Sequence, residues 1–320
     1  MSSKVCVYVG ENLGRYGFGD GHPFGPQRMD AFWQESLRQG IPNRVVVKDP
    51  VLANRETVEL FHKSHYVDQV ARQSVTGEGY LDYGDTPAFK GVYEASLYVV
   101  GSTLAAVDGI MSGPFRRGFI PIAGLHHARP DRAGGFCVFN DAGVAIQALL
   151  STYGLKKVAY VDIDAHHGDG VFYPFESDPR VINADIHEDG RFLYPGTGHA
   201  HETGKGAAEG LKLNLPMAPF ADDKAFFEVW PQVEELIRQT GPEFIVFQCG
   251  ADCIEGDPIT HMRFSLAPHA HAATRLCQLA DELGHGRVIG VGGGGYNLRN
   301  IGGGWNAVVN AFVAVEEARA

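Results

Sequence analysis

Residues 158–170 read Val158-Ala159-Tyr160-Val161-Asp162-Ile163-Asp164-Ala165-His166-His167-Gly168-Asp169-Gly170. The apolar opening is that of a buried strand, and it turns abruptly into Asp162, Asp164, His166, His167 and Asp169. Successive side chains of a strand point to opposite faces, so Asp162, Asp164 and His166 are expected to point the same way. A carboxylate and an imidazole two residues apart both reach one divalent cation, and Asp162, one step further back, stands where it would orient them. One such residue at a strand end caps the next helix or faces water. Five within eight positions indicate a metal site.

Working outward, Phe244-Ile245-Val246-Phe247-Gln248 is a second strong strand and ends at Gly250-Ala251-Asp252, which makes Asp252 the natural third ligand. Further strands or apolar runs are predicted at 5–9, 119–123, 181–187 and 287–291, and helices at 27–39, 56–73, 92–111, 141–152 and 222–239. Apolar strands alternating with helices predict an α/β protein with a central, mostly parallel sheet flanked by helices. Its site gathers at the carboxyl ends of the strands, where both ligand candidates fall. The run at 119–123 feeds His126 and His127. Such a pair is either incidental at a strand end or, beside a metal, divides general-base, general-acid and electrostatic roles. Phe136 and Phe139 supply aromatic bulk suited to walls. The last strand runs into Gly292-Gly293-Gly294-Gly295-Tyr296. Gly290, Gly292 and Gly295 satisfy G-x-G-x-x-G, but that fingerprint belongs at a first βα turn with a second strand beyond it. The glycines are read instead as letting backbone pass close to a packed site and present Tyr296 to it. Two loops, 14–23 and 77–91, also have the character of site-lining segments, and Asp85 in the second is either a turn former or a ligand-contacting carboxylate. His62 and His65 read as surface or packing residues of a helix.

The 320 residues contain no linker-like stretch, and a single domain over 1–320 is expected. With 44% apolar and 20% charged residues the chain is neither disordered nor fibrous. A formal net charge of −11 disfavours nucleic acid and anionic membranes as partners and favours a cationic ligand. The five cysteines are odd in number and lack paired zinc spacing, which fits a reducing, cytoplasmic compartment. The first strand begins with no basic-then-apolar leader before it, and no apolar run reaches the ~20 residues that span a bilayer.

In order along the chain, Gly21-His22-Pro23, Leu125-His126-His127-Ala128, Gly135-Phe136-Cys137, Asn140-Asp141, Asp162 to Gly170, Pro195-Gly196-Thr197-Gly198, Gly250-Ala251-Asp252, Gly256-Asp257-Pro258 and Gly293-Gly294-Gly295-Tyr296 resemble the zinc-dependent histone deacetylase superfamily, in its bacterial amidohydrolase and acetylpolyamine deacetylase group. The resemblance implies the single-domain arginase-deacetylase fold. It implies Asp164, His166 and Asp252 as ligands of zinc, with iron(II) also suited to an Asp₂His set. By the same resemblance His127 is the general base and then acid, oriented by Asp169, and His126, paired with Asp162, is its electrostatic partner. Tyr296 is then the donor to the substrate carbonyl. Gly135, Phe136 and Tyr194 line a narrow tunnel, and structural K⁺ binds beside Asp162. Asp85 matches a rim aspartate that grips acetyl-lysine peptides, and Ile259 stands where polyamine-selective relatives carry a glutamate. Glu11, Asp20 and Glu188 are the remaining candidates for rim charge. The implied reaction removes acetyl or another short acyl group from acyl-lysine or an N-acylated amine, with an acetylpolyamine as the alternative substrate. An insertion that makes relatives dimerise is not evident between Gly77 and Gly91, and the oligomeric state stays open. An arginase-like dimetal ureohydrolase would need a further carboxylate where Cys253 and Ile254 follow Asp252. A noncatalytic binding scaffold would be expected to have lost one of these residues, and all are present.

Overall fold

In the computed structural model, which describes residues 3–19 and 21–319, the run ending at Asp162 is the strand β4 (Val158–Asp162), buried along its length. It lies inside a sheet built with β1 (Val5–Tyr8), β2 (Val46–Lys48), β3 (Arg117–Ile120), β5 (Val181–Glu188), β6 (Lys212–Met217), β7 (Ile245–Gln248) and β8 (Val288–Val291). The order is β2-β1-β3-β8-β7-β4-β5-β6, and every pairing between these strands is parallel, where the sequence predicted a mostly parallel sheet. Helices cover both faces, so the inner strands are apolar without alternation. This single-domain arrangement is the arginase-deacetylase fold.

The helices are α1 (Glu11–Gly14), α2 (Gln27–Arg38), α3 (Arg55–Val58), α4 (Ser64–Thr76), α5 (Val92–Met111), α6 (Asp141–Ser151), α7 (Asp169–Phe172), α8 (Asp223–Thr240), α9 (Ala267–Glu282) and α10 (Leu298–Glu317). Side-chain caps set several of their starts: Asn140 accepts from Gly143 N, Asp222 from Ala225 N and Asn297 from Arg299 N. None is both long and apolar enough to cross a membrane.

The helix predicted over 56–73 is two helices, α3 and α4. Between them His62 turns inward, its Nε2 accepting the backbone N–H of Asn140 at 2.9 Å, and Lys63 N donates to Pro130 O at 2.7 Å. A continuous helix would have kept the Lys63 N–H in the backbone ladder. The run at 119–123 is strand only to Ile120; beyond it Ala123 O accepts from Gly293 N at 2.7 Å, tying the chain after β3 to the chain after β8. Phe139, proposed as a wall, is wholly buried in the core against His62, Tyr66 and Tyr93.

The topology explains the site's composition. Asp162 on β4 pairs in register with Gln248 on β7, and Gln248 with Val291 on β8. The carboxyl ends of β3, β8, β7 and β4 are therefore neighbours. They feed His126–His127, the glycine turn with Tyr296, Asp252, and Asp164–His166 respectively.

Candidate metal centre

Asp164, His166 and Asp252 are buried, and one ligand atom from each lies within 4.8 Å of the others. His166 Nδ1 is 3.1 Å from Asp164 Oδ1 and 3.0 Å from Asp252 Oδ2. The remaining carboxylate oxygens are occupied from behind: Asp164 Oδ2 accepts from Gly294 N and Gln248 Nε2, each at 2.8 Å, and Asp252 Oδ1 from Ala165 N at 2.9 Å. Burial, then the neighbouring Asp164, pushes Asp252 up to about 7. Burial opposes charge on His166, yet the two carboxylates carry it up to about 10. A proton on His166 Nδ1 between two inward-facing carboxylates marks a position that a divalent cation fits, in charge and in donor type. Glycine makes the room: a Cβ at Gly294 would run into the carboxylates of Asp252 and Asp164, and one at Gly250 into that of Asp164.

Asp162 stands behind this group. Its Oδ1 accepts from Asp164 N at 3.0 Å, and its Oδ2 meets His126 Nδ1 at 2.8 Å and the Tyr160 hydroxyl at 2.6 Å. Burial raises Asp162 while His126 lowers it, and His126, against the cost of burial, is carried up to about 9 by Asp162 and Asp164. His127 is the opposite case. Burial and then the adjacent His126 lower it to about 4, so it is neutral at pH 7, with Nδ1 2.8 Å from Asp169 Oδ1. Asp169, though buried, is held down to about 2 by His127 and by Arg129, whose Nη2 and Nε donate to Oδ2 at 2.7 and 3.1 Å. Two imidazoles with ring centroids 4.1 Å apart thus have contrasting protonation, set by their different carboxylates and shared burial. The loop that carries them is anchored by Asp141, whose Oδ1 accepts from Gly124 N and Leu125 N at 2.9 Å each.

Tyr296 reaches the same inner cavity as His126, His127, Asp164, His166 and Gly294. Burial raises its hydroxyl well above the ordinary phenol range, so it stays a donor. Arg28, which sequence reasoning passed over, is buried beneath it. Its Nε and Nη2 donate to Gly295 O at 2.9 Å and Gly293 O at 2.5 Å, and its guanidinium stacks 3.8 Å over Phe24. Gln248 was likewise read only as a strand residue; its position directly before Gly250-Ala251-Asp252 was the available signal.

An outer cavity of about 610 Å³ is lined by Asp82, Asp85, Gly134, Arg129, Asp169 and Tyr194 among others, and His127 lines both cavities. Gly135 borders the inner one at φ +51°, and a Cβ there would strike the rings of His127 and Tyr194. Phe136, also left-handed at φ +67°, sets its ring edge-on to Tyr296 at 5.9 Å. Asp82 makes the turn of the 82–86 loop by accepting from three successive backbone N–H groups, which leaves Asp85 facing the outer cavity. Ile259 borders neither cavity; its N–H donates to Asp257 Oδ1 at 3.1 Å. Glu188 is not rim charge: it is buried, accepting from His261 Nδ1 at 2.7 Å and His261 N at 2.9 Å. Glu11 pairs with Arg15 on α1, in a separate cleft, and Asp20 lies outside the described residues.

Residues 22–312 match the family model of the histone deacetylase domain. The chain belongs to the histone deacetylase family. Among curated relatives, the acetoin utilization protein AcuC of Bacillus subtilis (strain 168) is 35% identical over 98% of this chain and 81% of its own length. AcuC of Staphylococcus aureus (strain MSSA476) is 34% identical over 97% of this chain and 80% of its own. Among solved structures, the HDA15 HD domain superposes with a TM-score of 0.91 at 27% identity, over 98% of this chain and 89% of that one. The family is one of metal-dependent deacetylases, and its member here carries the buried Asp-His-Asp group described above.

Proposed function

We propose that this chain hydrolyses the acyl amide of acetyl-lysine in a peptide or protein, releasing acetate or another short carboxylate and the free amine. The observation that carries the reading is His127: neutral through burial, braced by Asp169, and in one cavity with the Asp-His-Asp group and the Tyr296 side chain.

Asp164, His166 and Asp252 would hold zinc or iron(II), which when bound lowers the pKa of a water toward ~7 and polarises the amide carbonyl. His127 takes the water's proton at Nε2, since its Nδ1–H donates to Asp169, and returns that proton to the departing amine. His126, with its proton shared toward Asp162, adds positive charge beside the developing oxyanion, and the Tyr296 hydroxyl donates to that oxygen. Gly135, Phe136 and Tyr194 wall the acyl-amine passage, and Asp85 accepts backbone N–H groups of the peptide at the mouth. The deeply buried, adjacent Asp162 and Asp185 also suit a structural K⁺ at the end of β4, held through backbone oxygens. Five buried free thiols support a reducing, cytoplasmic setting.

The test is acetate release from matched acetyl-lysine peptides and N-acetylated polyamines, with chelator-stripped protein before and after one equivalent of Zn²⁺. Zinc-dependent turnover of the peptides is expected. Tyr296→Phe should retain metal and fold while kcat falls ~10²–10³-fold, the usual cost of one oxyanion donor. Near-normal kcat in that variant would remove Tyr296 from the mechanism.

A further inference from the structure

The lining of the outer cavity carries both signs of charge. Asp82 and Asp85 come from one loop, and Arg129 and Arg132 from another. The two arginines close a tight turn, Arg129 N donating to Arg132 O at 2.9 Å and Arg132 N to Arg129 O at 3.4 Å, so both guanidiniums spring from one short, rigid stretch. They differ in commitment. Arg129 is spent: it forks onto Asp169 and lies 4.7 Å over the Tyr173 ring. Arg132 is available. Among the described residues its one side-chain partner is the neighbouring Asp131, at 3.2 Å from Nη1, and both groups are well exposed, at 44% and 37%. Asp131 also serves Lys63 Nζ at 3.5 Å. An exposed pair of this kind is worth little and exchanges readily for a better-placed carboxylate.

The net charge of −11 already favours a cationic amine, and a guanidinium at the mouth would repel one, so its use lies with an anionic group. An anionic group on the substrate would be repelled by Asp82 and Asp85 unless it met a cation lining the same mouth, and the planar fork of arginine matches a carboxylate. We propose that Arg132 forms a carboxylate-reading subsite of this mouth, so that the favoured substrate carries a carboxylate beside the acyl-lysine while Asp85 grips its backbone N–H groups. The inference rests on the deacylase reading and deepens it. The carboxylate has two sources: an acidic side chain next to the acyl-lysine, or the free α-carboxylate of an acyl-lysine that ends the chain.

Four peptides separate them: acetyl-lysine followed by Asp, the same with Asn, a peptide ending in acetyl-lysine as the free acid, and the same as the amide. kcat and KM are measured for the wild type, Arg132→Ala, Arg132→Glu and Arg132→Lys, and binding of each peptide is followed by calorimetry. Within at least one acid–neutral pair, the acid should be favoured about tenfold, through KM and Kd, the worth of one charge-assisted contact. The pair that shows the preference identifies the source. Arg132→Ala should abolish the preference, Arg132→Glu reverse it and Arg132→Lys keep part of it. kcat on the neutral peptides should stay within about twofold, because Arg132 touches none of the reacting groups. Equal affinity for acid and neutral members in the wild type, or a preference that survives in Arg132→Glu, overturns the proposal. Absence of turnover on every peptide would instead sink the deacylase reading, and the binding comparison would still decide this one.

Discussion

The carboxylate of Asp257 accepts the backbone N–H of Tyr296 at 2.8 Å and, through its other oxygen, that of Ile259 at 3.1 Å. One side chain thus joins the loop after β7 to the glycine turn after β8. The same loop returns to the Asp-His-Asp group, because the Thr260 hydroxyl donates to the carbonyl of Asp252. Loss of Asp257 should loosen Tyr296 without touching a proposed ligand, and a displacement near 1 Å costs on the order of 10²-fold in rate. Asp257→Ala is expected to bind one metal per chain and unfold near the wild-type temperature while kcat drops roughly 10–100-fold. Steady-state kinetics beside metal analysis checks it; unaltered kcat would show that the glycine turn holds Tyr296 unaided.

Gly294 offers a test of the metal position that leaves every proposed ligand in place. A Cβ there would collide with the carboxylate oxygens of both Asp252 and Asp164, and the backbone N–H that Gly294 gives to Asp164 would have to move. Gly294→Ala should weaken zinc binding by ~10–100-fold, the range seen when groups that orient ligands are disturbed. Competition against a chelator of known affinity measures this. Full affinity would place the ion away from these two oxygens.

Much of this site was legible because its carriers are short and the strands before them are buried on both faces. Asp162, Asp164 and His166 follow a continuous apolar run, and Asp252 follows another, so the change from apolar to ligand types marks the strand ends. Contacts made only in three dimensions left no such mark. Glu188 sits at a strand end like the proposed ligands, yet its backbone N–H donates to Ala165 O and its carboxylate is buried against His261, two relationships far apart in sequence. The break between α3 and α4 carries neither Gly nor Pro; it follows from the demand of Asn140 for His62. Arg28 reads as one more polar position on α2 until the β8 turn folds over it. The helix α9 was missed among its histidines and proline, although Ala272, Leu276 and Ala280 recur at helical spacing and are buried.

Asp85 gives the mouth a pH dependence. Burial, then the nearby Asp82, raises its carboxyl to about 6, so protonation begins at a higher pH than for an ordinary aspartate. In the role proposed for it, the form ionised above pH 6 would accept peptide N–H groups, and that form is lost as pH falls through about 6. KM for an acetyl-lysine peptide should therefore rise several-fold between pH 7 and pH 5, on top of any change in kcat, a hydrogen bond to a charged group being worth about 1.5–3 kcal/mol. In Asp85→Asn, KM should be high throughout and flat over this interval. A wild-type KM that is itself flat there would mean that Asp85 does not hold the substrate.

His62 controls acid stability. Burial lowers it to about 3, and its Nε2 serves as acceptor for Asn140 N, a role open only to the neutral ring. In the unfolded chain the same side chain titrates near 6.5. Between these values the unfolded state binds a proton that the folded state refuses, so stability is fully present above pH 6.5 and is lost as pH falls toward 3. The loss amounts to about 1.4 kcal/mol per pH unit for one such residue. His269 and His285, each lowered to about 4 chiefly by burial, act in the same direction. Denaturant unfolding measured from pH 7 to pH 4.5 should show a steep decline, and His62→Gln, whose amide oxygen can accept the same N–H without titrating, should flatten the slope by close to one proton. Identical slopes for wild type and variant would mean that the folded protein accommodates a charged His62, and that the break between α3 and α4 is held by something other than its contact with Asn140.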